Sequence, residues 1–246
     1  IRADDTTLLF DVGFNQKQEH PSPLLRNMQA LGVTPEEIDY IVISHLHLDH
    51  VGGLKRQRER SFALSKESLD LSGVTAFVPE SMTHATARVE VVEEPRQIAP
   101  GVVSMGPIAR QLFFFGWTPE QSLAINVEGK GVVVLSGCGH STIQHILARA
   151  DMLFDVPMYG VVGGLHYPVT GSRRQRILGT DKWPWAPISC GDVEASVAHL
   201  ASRALKLVAL SPHDSCDWSR DAFRLAFGEA YQDVHVGGEI IVTESS

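Results

Sequence analysis

A chain of 246 residues with 43% hydrophobic and only 20% charged content has enough apolar surface to bury a substantial core, which excludes a disordered chain and reads as one domain over residues 1–246. A formal charge of −8 and a pI near 5.7 argue against a nucleic-acid protein, which carries a basic face or stripe. The 3 cysteines, Cys138, Cys190 and Cys216, form no disulfide framework, and no apolar run approaches the length that spans a bilayer. The expected setting is therefore a reducing compartment, the cytoplasm, although a start at Ile1 leaves secretion through a removed signal open. The expected partner is a small-molecule substrate, with no nucleic acid and no membrane, and a homo-oligomer is left open.

In chain order, strand patterns fall at Thr7–Val12, Tyr40–Ser44, Val74–Val78, Val102–Met105, Gln111–Phe115, Ser122–Val127, Val132–Ser136, Met158–Val162, Lys206–Leu210 and Ile240–Val242. Helical patterns fit Pro23–Leu31, with Ser22 as cap and Gly32 as stop, then Pro79–Arg88, Ser141–Ala150, Val193–Ala204 and Asp221–Phe227. Many of the strands are apolar on both faces, as in sheets covered by other layers. No tandem repeat is visible, and the pattern alone gives α/β or α+β.

The first chemical cluster follows the strand Tyr40–Ser44, in Ser44-His45-Leu46-His47-Leu48-Asp49-His50. Imidazole and carboxylate are the ligands that borderline divalent metals such as zinc prefer. Alternation along an extended segment points His45, His47 and Asp49 one way and His50 another, which suits a second metal. A surface loop can hold scattered histidines, but polar groups gathered this densely would each need a partner of their own. Val51-Gly52-Gly53-Leu54 then lets the backbone turn tightly into a helix.

The second cluster ends the strand Val132–Ser136. Cys138 and His140 lie two apart, on the same side of an extended backbone, and Ser141 can cap the helix that follows. Packing alone would also account for a buried cysteine, and a turn for the histidine. Farther on, His166 follows Gly163-Gly164, where it can face substrate, join a metal shell or be satisfied within its loop. The long segment 167–190 has the length of a lid or binding loop and carries Arg173, Arg174, Arg176, Trp183 and Trp185. Guanidinium groups beside aromatics suit an anionic, partly apolar substrate, while a solvated loop or subunit contact explains them equally well. Ser211-Pro212-His213-Asp214 closes the strand Lys206–Leu210.

His45-x-His47-x-Asp49-His50 with Gly52-Gly53 resembles the metal-binding signature of the metallo-β-lactamase superfamily, and Leu8-Leu9-Phe10-Asp11-Val12-Gly13 is similar to the segment that precedes it there. The resemblance runs from about Thr7 to Val242. It implies an α+β fold, the αββα sandwich of two mixed sheets face to face with helices outside, and it implies that strands preceding Thr7 are missing. It also implies a first metal on His45 and His47 and a second on Asp49, His50 and His213, with Cys138 in the bridging position. Many members supply a third first-site histidine from a Gly-His-Thr-Pro-Gly stretch. Here Gly116-Trp117-Thr118-Pro119 puts Trp117 in that place and leaves the role to His140. Ser-Gly-Cys-x-His and Gly-Gly-Leu-His are similar to the branch of the dihydropterin-ribofuranosyl-aminobenzene phosphate synthase type. That branch usually continues its last histidine with Cys-Thr-Gly, whereas this chain has Asp214-Ser215-Cys216.

Two divalent ions so held, zinc foremost with manganese or iron also accepted, would bridge a water, lower its pKa and polarise the oxygen under attack. The resemblance thus implies a hydrolase of a small ester, lactone, amide or phosphodiester. Asp49 would orient the water or carry a proton, and His166 would act at the substrate. Arg173, Arg174 and Trp183 would bind that substrate, and Asp11 would support the ligating imidazoles. Two other readings stand beside it: a non-hydrolytic, pterin-related synthase or transferase at the same metals, and a metal-binding protein whose catalytic centre is degraded, for which Trp117 is the motive.

Overall fold

The computed structural model describes residues 1–112, 114–172, 175–179, 182 and 185–243. Its strands are β1 (Arg2–Ala3), β2 (Thr6–Phe10), β3 (Tyr40–Val42), β4 (Thr75–Val78), β5 (Arg88–Val91), β6 (Arg96–Ala99), β7 (Val102–Leu112), β8 (Gly116–Val127), β9 (Gly131–Ser136), β10 (Met158–Gly163) and β11 (Leu207–Leu210). Its helices are α1 (Pro23–Ala30), α2 (Leu54–Arg58), α3 (Ile143–Leu153), α4 (Cys190–Ala201) and α5 (Asp217–Phe227). One sheet runs β1-β2-β3-β4-β5 and the other β11-β10-β9-β8-β7-β6. β2 to β5 are mutually parallel, as are β9, β10 and β11, while β6 to β9 form an antiparallel meander.

Side-chain alternation explains the layering. In β3 and β4, Ile41 and Ala76 face a core that includes Met28 of α1, whereas Val42 and Phe77 face Leu123 and Val102 of the second sheet. In β9, Val132 and Val134 pack against Ile143, Ile146 and Leu147 of α3, with Val193 and Leu200 of α4 and Phe223 of α5 in the same cluster. The order is helix, sheet, sheet, helices: an α+β, αββα sandwich. Burying one side chain such as Ile41 or Leu123 contributes roughly 1.5–3 kcal/mol, so the apolar cores between the four layers account for most of the driving force. Among the described residues no helix is long and apolar enough to cross a membrane.

Four expectations change. Ser141 does not cap α3, which starts after Thr142 with no side-chain cap. Pro79–Arg88 is not a helix, because His84 Nδ1 accepts the backbone N–H groups of Thr86 and Ala87, at 3.2 and 3.0 Å, and Arg88 already begins β5. Val102–Met105 and Gln111–Leu112 are not two strands but parts of β7, which continues through a register shift between Ser104 and Pro107, where Gly106 takes a φ of +72°, while Phe114 and Phe115 lie in the turn before β8. Ile240–Val242 is irregular chain, yet Ile240 and Val242 still pack on Val133, Leu207 and Ala209.

Candidate metal centre

The parallel strands deliver the site. Asp11 follows β2 and the histidine motif follows β3, neighbours in one sheet, while Cys138, His166 and His213 follow β9, β10 and β11, neighbours in the other. Gln121 of β8 binds the two edges together: its backbone N–H donates to the Ser44 carbonyl at 2.9 Å, and its side-chain amide to the carbonyls of Ile43 and Phe77 at 2.8 and 3.1 Å.

His45 is fully buried, with ring centroids 4.5 Å from His47, 4.1 Å from His50 and 4.9 Å from His140. The potential ligand atoms of His45, His47 and His140 all lie within 4.8 Å of one another, as do those of Asp49, His50 and His213. Cys138 meets the same limit with His45 and His50, and again with His140 and His166, so it stands between the groups. His213 Nε2 is 3.1 Å from Asp49 Oδ2.

His45 Nε2, His140 Nε2 and His166 Nδ1 are buried without a hydrogen-bond partner. Each such atom costs roughly 1–3 kcal/mol, which a metal would recover, and imidazole, carboxylate and thiolate together are a donor set that zinc-like ions accept. The residues present therefore fit divalent ions. The opposite ring nitrogens are held: His45 Nδ1 lies 2.8 Å from Ser44 Oγ, His50 Nδ1 2.7 Å from Asp11 Oδ2, and His140 Nδ1 2.6 Å from the Gly179 carbonyl. Such contacts set tautomer and ring direction. Asp11 also accepts the backbone N–H and hydroxyl of Ser44, each at 2.7 Å.

Electrostatics follow from this crowding. Burial, then the neighbouring imidazoles, hold His45 and His140 well below the ordinary histidine value. Burial takes His47 down to about 4. Burial also works against protonation of His50, but the Asp11 carboxylate outweighs it by charge and hydrogen bond and lifts His50 to about 9. Asp49 stays well below the usual carboxylate range: burial pushes it up, and the hydrogen bond from His213 with the charge of His50 more than offsets that. Burial, and then the charges of Asp214 and Glu120, push the Cys138 thiol up.

A cavity of about 480 Å³ opens beside these groups, with Leu48, Phe115, Pro168 and Leu178 on its apolar wall and Gln57 and Gln175 among its polar lining. The Phe115 ring lies 4.5 Å from that of His47.

Residues 1–66 match the family model of the metallo-beta-lactamase superfamily. Over 212 residues the chain is 26% identical to the 7,8-dihydropterin-6-methyl-4-(beta-D-ribofuranosyl)-aminobenzene-5'-phosphate synthase of Methanocaldococcus jannaschii, covering 71% of this chain and 69% of that protein. It is 26% identical to an N-acyl homoserine lactonase of Bacillus cereus over 134 residues, 54% of this chain and 48% of the lactonase. The solved structure of Tm1679, a metal-dependent hydrolase of the beta-lactamase superfamily, has the same fold, with a TM-score of 0.66 over 96% of this chain and 89% of its own at 20% identity. The fold is the metallo-beta-lactamase fold, and the match to the superfamily model covers the segment that carries the histidine motif.

Against the motif pattern described above, the place of Trp117 is the main departure. It lies in β8, 68% exposed, outside the cavity lining, and His140 is the residue that stands beside His45 and His47. Of the residues read as substrate-binding, Arg173, Arg174 and Trp183 lie outside the described residues. The described part of 167–190 is anchored through buried Val169, Ile177 and Ile188, and it sets the Leu178 and Gly179 carbonyls against His166 and His140. Sequence reasoning missed Glu120, a buried β8 carboxylate that accepts the backbone N–H groups of Cys138, Gly139 and Ser141 at 2.9, 2.8 and 3.4 Å. It also missed Asp214, which accepts the His166 N–H at 2.9 Å.

Proposed function

We propose that the protein is a metal-dependent hydrolase, holding two divalent ions, zinc foremost, and cleaving a small ester, lactone, amide or phosphodiester. The observation that carries this reading is the convergence of unpartnered His45 Nε2 and His140 Nε2 in the buried cluster that also holds Cys138. His45, His47 and His140 would hold one ion and Asp49, His50 and His213 the other, with Cys138 between them. Ions there would acidify a water and polarise the substrate oxygen under attack.

The chain's own groups supply the rest. Asp49, held ionised, suits an acceptor that orients a water or takes its proton better than an acid that donates one. Leu48 and Phe115 exclude water and seat an apolar part of the substrate. Asp11 holds His50 directly and His45 through the Ser44 hydroxyl. Arg173 and Arg174 would serve an anionic substrate, and the free cysteines agree with a cytoplasmic setting.

Metal analysis of the purified chain, paired with a screen of esters, lactones, amides and phosphodiesters, tests the reading. Stoichiometric metal and a hydrolysis that disappears in His50→Ala are expected. A chain that retains no zinc, manganese or iron after loading would sink it. The 26% identity to a synthase over 71% of the chain supports a second reading, a pterin-related synthase or transferase at the same metals. A joined product in place of a hydrolysed one would favour it. A degraded centre rests on Trp117 alone, and Trp117 lies outside the cluster.

A further inference from the structure

We propose that His166 is itself a metal ligand, acting through Nδ1 from the loop side of the site and held in readiness by the Leu178 carbonyl; the inference rests on the metal-dependent reading above. His166 Nε2 lies 2.6 Å from that carbonyl, which can only accept, so Nε2 carries the proton and Nδ1 keeps its lone pair. Nδ1 is buried and unpartnered, and it lies within 4.8 Å of the potential ligand atoms of Cys138 and His140. Its closest carboxylate oxygen, Asp214 Oδ2, is 4.0 Å away, beyond a hydrogen bond.

The backbone is arranged to suit. His166 takes a φ of +53°, a region histidine enters uncommonly, and its N–H is pinned at 2.9 Å by the Asp214 carboxylate. A histidine merely satisfied within its loop would give both ring nitrogens partners; this one leaves a nitrogen bare beside a thiol. The same loop treats His140 in the same way, since the Gly179 carbonyl takes Nδ1 and leaves Nε2 bare. Consecutive carbonyls thus set the tautomers of two imidazoles whose centroids lie 4.9 Å apart. A Cβ at Gly179 would come within 2.8 Å of His166 Cε1 and 2.9 Å of His140 Cε1, so the loop approaches this closely only as glycine. Seating of this loop and retention of metal are therefore linked.

The test loads the full chain and its variants with cobalt(II), reading the visible spectrum and the retention of cobalt against a competing chelator. His166→Asn keeps a residue that tolerates the left-handed backbone but offers no imidazole. It should change the cobalt spectrum and lower retention about tenfold or more, while the metal-free variant unfolds like the parent. Gly179→Ala replaces none of the proposed ligands, but its Cβ would crowd the His166 and His140 rings; it should also lower retention, and it carries the test if His166→Asn fails to fold. Parent-like spectrum and retention in His166→Asn, or in Gly179→Ala where the first is unfolded, would overturn the inference and leave the hydrolase reading standing. A parent chain that takes up no cobalt overturns both.

Discussion

Asp11 shows how much of the centre is decided by single atoms. One carboxylate accepts from the Ser44 amide, the Ser44 hydroxyl and His50, and so aligns the motif before any ion arrives. The crowded imidazoles have a measurable consequence for the metal-free chain. His47 titrates at about 4 when folded against about 6.5 when unfolded, so below pH 6.5 the unfolded chain binds the extra proton. Stability then falls as pH drops from 6.5 to 4, by up to about 1.4 kcal/mol per unit for each such histidine. His50 has the opposite shift, to about 9; its contribution is complete below pH 6.5 and is lost only as pH rises toward 9, so it offsets nothing in this window. Urea midpoints of chelator-treated protein should therefore be lower at pH 5 than at pH 7, and equal midpoints would contradict the burial argument. The proposed ligands stood out in sequence because histidine, cysteine and aspartate cluster after apolar runs, and the structure brings their side chains together. Glu120 was not, since its partners are backbone amides, which leave no mark on residue identity.

At the scale of elements, β8 matters most. Gln121 offers its amide to the Ile43 and Phe77 carbonyls and accepts from the Ser104 hydroxyl at 2.6 Å, all of it buried. Gln121→Leu would leave these groups unsatisfied, at roughly 1–3 kcal/mol for each that stays dry. A loss of at least about 1 kcal/mol in denaturant unfolding is the expected result, and a neutral substitution would mean that water replaces the amide. The central strands were readable from apolar runs; the edge strands β1, β5 and β6, short and half-exposed, and the strand boundaries were not. β7 looked like two strands because Gly106-Pro107 reads as a break, whereas antiparallel pairing carries the strand across it as a bulge. The 79–88 segment looked helical by spacing, but the His84 ring took the backbone amides a helix would have needed for its own carbonyls.

Across the whole molecule, the proposed ligands come half from each sheet, so bound metal would act as a clasp between layers. Metal removal should lower the melting temperature. An ion held a thousandfold above its dissociation constant adds about 4 kcal/mol to the folded state. Calorimetry with and without chelator measures this, and an unmoved transition would place the ions outside the fold's own balance. The four-layer order was expected from the family resemblance alone, because periodicity can show that a strand is buried on both faces without saying by what. One further consequence concerns the turn between β9 and α3, where converging backbone amides would ordinarily offer a docking place for a phosphate. The amides of Cys138, Gly139 and Ser141 are already spoken for by Glu120. Glu120 already fills that cradle, so a phosphorylated substrate would have to find its counter-charge elsewhere, at the proposed ions.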